Sequence, residues 1–107
     1  MKTLEKMTRD ERSLLLFFET CAVDRGGRIN TRHMNDEDRQ IAEEWNEEGF
    51  CQFGRVGSKF LTLKTAKLGT HWCKLSDEAW KLAHVERKAR GIRMWGKRTW
   101  LTTEEKE

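Results

Sequence analysis

The chain has 107 residues, 36% of them hydrophobic and 36% charged, with five Trp, five Phe, no Tyr and no Pro. That length suits one domain with a modest core, and no apolar run approaches the roughly 18 residues that a bilayer-spanning helix needs. The net charge of +3 conceals segregation: residues 31–50 hold two bases against seven acids, whereas residues 51–75 hold five bases and no acid. Such a division bears on partners more than the total does. The three cysteines, Cys21, Cys51 and Cys73, are too few and odd in number for a disulfide scaffold. The charged start MKTLEKMTRDERS lacks the apolar core of a signal peptide. We therefore expect a cytoplasmic protein with no membrane partner.

Thr8, followed three residues later by Glu11, is a capping-box signal. It predicts a helix from about Arg9 to Val23, in which Leu14, Leu15, Phe17, Phe18, Cys21 and Ala22 recur at spacings of three and four. Asp24-Arg25-Gly26-Gly27 ends it, and Arg28-Ile29 reads as a short strand. Asn30 or Thr31 can cap a short second helix through His33 and Met34. Asn35 and Asp36 then offer a turn and a new cap. The next helix, Asp36 to Glu48, groups Ile41, Ala42 and Trp45 on one face and ends at Gly49. Asp36, Glu37 and Asp38 suit its positive end, but Glu47 and Glu48 sit at the wrong end for the helix dipole.

Phe50 to Val56 reads as a strand, followed by a Gly57-Ser58 turn. KFLTLKTAKLG after it fits a strand pair, a long loop or one turn of helix. Thr70 to Leu75 is a second strand, with Trp72 and Lys74 on one face and His71, Cys73 and Leu75 on the other. Ser76 caps the last helix, Leu75 and Trp80 have the spacing of a hydrophobic staple, and Ala79, Leu82, Ala83 and either Val85 or Glu86 define its packing side. That helix is expected to reach about Arg90, with Gly91 as a stop. The tail IRMWGKRTWLTTEEKE is basic and aromatic to Trp100, then acidic.

The segment GGRI, the helix-to-strand junction EEWNEEGF and the run LSDEAWKLAHVERKAR together resemble the winged-helix superfamily over about residues 8–91. Residues 1–7 would be an extension and 92–107 a tail. The resemblance implies a mostly helical α+β fold: a winged helix-turn-helix with three N-terminal helices, a β-hairpin wing and a C-terminal helix. The small size looks like that of phage or mobile-element proteins. The superfamily implies double-stranded DNA as partner, usually in transcription regulation, with the third helix in the major groove and the wing near the minor groove. Here that third helix departs from the pattern. Seven carboxylates and one base, Arg39, would approach a dense line of phosphates.

The DNA-binding candidates are therefore led by the wing bases Arg55, Lys59, Lys64, Lys67 and Lys74 and the last-helix bases Arg87, Lys88, Arg90, Arg93, Lys97 and Arg98. Arg39 and Gln40 are secondary candidates for a base edge. The bland alternative is a pair of solvated charged faces. Glu43, Glu44, Glu47 and Glu48 instead suit a protein-facing surface, for a basic partner or for the wing of a second copy. Trp95 and Trp100 could anchor an interface or stack on bases, or fold back onto the core. Cys51 and Cys73 could face each other across the hairpin, near His71, while His84 lies further on. Without a C-x-x-C pair, however, the cysteines read as buried small hydrophobes, and we expect no metal and no cofactor. No Gly-rich phosphate loop, G-x-S-x-G or H-E-x-x-H occurs, so neither an enzyme nor a small-molecule substrate is expected.

Overall fold

Each long helix begins where a side chain satisfies its first free amides. Thr8 Oγ1 accepts from Glu11 N at 3.1 Å, and Glu11 Oε1 accepts from Thr8 N at 2.8 Å, closing a capping box ahead of α1 (Arg9–Asp24). Asn35 and Asp38 form a second box ahead of α2 (Asp36–Glu48). Ser76 Oγ accepts from Ala79 N at 3.1 Å to start α3 (Asp77–Trp95). The structure is a computed structural model and describes residues 2–62 and 65–97.

Three short strands, β1 (Arg28–Ile29), β2 (Cys51–Arg55) and β3 (His71–Leu75), form one antiparallel sheet in the order β1-β3-β2. The protein is thus α+β and mostly helical, with element order α1-β1-α2-β2-β3-α3. At the end of α2, Gly49 takes the left-handed conformation (φ 79°), and Phe50 N donates to Trp45 O at 3.0 Å. Asn46 Oδ1 accepts from Phe53 N at 3.0 Å, which ties α2 to the strand it feeds.

Three expectations need correction. The short helix expected after Asn30 is a single 3-10 turn, Thr31–His33, capped by the Asn30 side chain. Two caps, Asn30 and Asn35, stand too close together for a longer helix between them. α3 runs past Gly91 to Trp95, because Gly91 has an ordinary negative φ and no left-handed stop forms there. Cys51 and Cys73 do not oppose each other: Cys51 pairs with Leu75, and Cys73 pairs with Phe53. The segment left open between the hairpin strands holds two 3-10 turns, Ser58–Phe60 and Ala66–Leu68.

The core lies between α1, α2 and the inner face of the sheet. Trp45, Phe18, Leu15, Ile29 and Cys51 are fully buried, and full burial of a large apolar side chain stabilises by roughly 1.5–3 kcal/mol. Phe18 stacks on Phe53 with centroids 6.0 Å apart and meets Trp45 edge-on at 6.0 Å; Trp45 in turn meets Phe50 at 5.2 Å. α3 packs along α1 through Ala79 and Ala83, together with the buried carboxylate of Glu86. Among the described residues no helix is long and apolar enough to cross a membrane.

Candidate nucleic-acid interface

The helix advance of roughly 100° per residue sorts the side chains of α2. Ala42 and Trp45 are buried. Arg39 shares a flank with Asn46, the side toward the hairpin. Gln40, Glu43, Glu44 and Glu47 are exposed on the face turned away from the core. The acids therefore occupy the surface that a groove-inserted helix would present. Glu48 has a tertiary reason that the local sequence lacks. Its Oε1 pairs with Lys2 Nζ at 2.8 Å, Lys2 N donates to Glu78 Oε2 at 3.0 Å, and the Lys2 ammonium lies 5.4 Å from the Phe50 centroid.

The charges of Arg39 and Arg55 both act on His71. Arg55 is the cross-strand partner of His71, whose ring stacks on Phe53 at 5.2 Å. Burial lowers the His71 ring below its ordinary value of 6.5, and the charges of Arg39 and Arg55 lower it further. The ring is thus held neutral near physiological pH, with Nδ1 2.8 Å from Thr70 Oγ1. One guanidinium group from α2 and one from the hairpin thus bring positive charge to bear on the same ring.

The strand pairs place Arg28, Trp72, Gly54, Lys74 and Gln52 together on the outer face of the sheet, a set without a carboxylate. A Cβ at Gly54 would stand 3.0 Å from the Trp72 ring, so glycine lets the indole lie across β2. Beyond this face the hairpin loop exposes Lys59, Lys67 and Phe60, and the Lys59 ammonium lies 5.1 Å from the Phe60 centroid. Arg28, which the sequence reading passed over, ties down the end of this loop at Thr65 and Gly69. Its guanidinium donates to Gly69 O at 2.8 Å and to Thr65 O at 3.1 Å.

The last-helix bases divide differently. Arg87 pairs with Glu19 and donates to Leu16 O at 3.1 Å and Thr20 Oγ1 at 2.9 Å. Arg90 and Arg93 pair with Glu86 Oε2 at 2.7 and 3.2 Å. These three arginines join α3 to α1 or to itself, so they do not form one patch with the hairpin. Arg90 after Glu86 was readable as an i,i+4 pair, but the partner of Arg87 lies on another helix and leaves no local signal. Lys88 and Lys97 are exposed, with no ion pair among the described residues. Trp95 is 67% exposed and does not fold back onto the core. Lys64, Arg98 and Trp100 lie outside the described residues.

Cys51 and Cys73 are buried free thiols pushed up to about 12, chiefly by burial, and so stay protonated and inert at neutral pH. Comparison with known proteins finds no match to a family model, a curated protein or a solved structure.

Proposed function

We propose that the chain is a small winged-helix DNA-binding protein, regulatory in role, that holds duplex phosphates with its hairpin and hairpin loop. The observation that carries this reading is a hairpin without carboxylates: Lys59 and Lys67 are exposed on its loop, Lys74 lies on the outer face of the sheet, and Arg55, on the other face, acts together with Arg39 of α2 on His71. α2 then lies alongside the contact surface and does not enter the major groove, because its outward acids would meet the phosphates.

Fluorescence anisotropy with a labelled generic duplex tests this. If about four phosphates are neutralised, log K falls against log salt with a slope of roughly −3.6, a loss on the order of a hundredfold between about 50 and 200 mM salt. Lys59→Glu with Lys67→Glu should abolish binding. Glu43→Gln with Glu47→Gln should leave it unchanged or strengthen it. Salt-independent binding, or none at the lower salt, refutes the reading.

A second reading is a winged-helix protein-interaction module in which the acidic face of α2 docks a basic partner or the hairpin of a second copy. It is favoured by Glu43, Glu44 and Glu47, which are exposed and have no ion pair among the described residues. Under this reading the same two acid-to-amide changes are the damaging ones.

A further inference from the structure

The start of α1 and the second half of α3 enclose an open groove of about 610 Å³. That size lies within the range of small-molecule sites, roughly 300–1,000 Å³. Five cations line it: Arg9 and Arg12 from α1, and Arg90, Arg93 and Lys97 from α3 and its end. The one carboxylate among its lining residues is Glu86. This acid is nearly inaccessible and already holds Arg90 at 2.7 Å and Arg93 at 3.2 Å, so it fixes two of the guanidinium groups and is not free to repel an anion from the surface.

The donors here are not exhausted. A guanidinium carries five N–H groups. Arg12 spends Nε on Met7 O, Arg90 spends one N–H on Glu86 and another on Ser13 Oγ, and Arg93 spends one on Glu86. Arg9 and Lys97 make no ion pair among the described residues. Ser13 accepts from Arg90 at 3.2 Å, which leaves its hydroxyl proton available to a ligand. Fixed, partly desolvated guanidinium groups around a polar hollow match the planar, multidentate donor demand of phosphate oxygens. A solvated face needs no such groove and no buried acid to hold its arginines in place.

We propose that this α1–α3 groove is a phosphate-binding site that seats a multiply charged phosphate, either a free oligophosphate or a nucleic-acid backbone group. It is built from elements other than the hairpin and stands whether or not the hairpin binds DNA.

Calorimetric titration of the full chain with sodium tripolyphosphate, at about 50 mM salt and near neutral pH, is the test. We expect saturable one-to-one binding. Arg9→Glu with Lys97→Glu should weaken it by about tenfold or more, and Lys59→Glu with Lys67→Glu should leave it within about twofold. Neither groove residue makes an ion pair among the described residues, and an unchanged thermal melt will show that the variant folds. Arg9→Gln with Lys97→Gln provides a milder replacement if it does not. An absence of saturable heat overturns the proposal, as does an affinity untouched by the groove change or equally lost in the hairpin variant. Duplex titrated against the same proteins distinguishes the sources. Duplex binding lost together with tripolyphosphate binding assigns the groove to the backbone. Duplex binding kept, or never present, while tripolyphosphate binds assigns it to a free oligophosphate.

Discussion

Glu86 is a carboxylate with 2% exposure on a helix face otherwise lined by Ala79 and Ala83. Burial pushes its pKa up, but the hydrogen bonds and charges of Arg90 and Arg93 outweigh that and hold it below the ordinary 4.5. A depressed folded value means that the stabilisation is complete above the ordinary value and is lost as pH falls through the folded one. Melting temperature should therefore drop on acidification from about pH 6 to 3, and Glu86→Gln should flatten that drop. At neutral pH the same change should cost about 1–3 kcal/mol, less than a fully buried pair because both arginines reach solvent. Trp45 offers a second test. Its Nε1 is buried with no hydrogen-bond partner among the described residues. Chemical denaturation should find Trp45→Phe costing under about 2 kcal/mol, because an unpartnered donor is removed along with the lost volume, and Trp45→Ala costing about 3–5. The periodicity of α3 left the packing position open between Val85 and Glu86, of which Glu86 is buried and Val85 exposed, and the spacing in α2 put Trp45 on one face with Ile41 and Ala42. What each polar atom would find there was not readable, because the partners come from turns or elements the pattern does not address.

At the scale of elements, the ends of the helices were the most legible features. Thr8, Asn35, Gly49 and Ser76 act on amides within a turn of themselves, so their spacing alone places α1, α2 and the start of α3. Legibility failed where no local stop existed, as at Gly91, and where strand register was set by tertiary fit, as for the two hairpin cysteines. The end of α2 makes a prediction of its own. It carries Glu47 in the last turn with no base there. Glu47→Lys should raise stability by about 0.3–1 kcal/mol in low salt, measured by urea melts, and the gain should shrink in high salt. Glu48→Lys should not reproduce it, because it discards the pair with Lys2.

Across the whole molecule, sequence blocks of charge proved an incomplete guide to surfaces. The run from Arg87 to Arg98 reads as one basic block, yet Arg87 turns onto Glu19, a carboxylate 68 residues away in the chain. Arg87→Ala should cost about 2 kcal/mol in a thermal or urea melt, since it strips three contacts and leaves Glu19 buried without its partner. Arg87→Lys should recover only part of this, because an ammonium cannot match the fork. Conversely, Arg9 and Arg12 looked like ordinary bases on an N-terminal helix, and only the antiparallel packing of α1 on α3 gathers them with Arg90, Arg93 and Lys97.

Arg28, clamped to the carbonyls of Gly69 and Thr65, has a consequence for the thermodynamics of association. Backbone already tied at Thr65 and Gly69 surrenders less freedom when a partner arrives, so the neighbouring Lys67 contributes its attraction without an ordering cost of about 1–2 kcal/mol for each residue fixed. Arg28→Ala would restore that cost. Calorimetry on the hairpin site should then record a more unfavourable entropy and a weaker affinity, although the bases that meet the partner are unchanged.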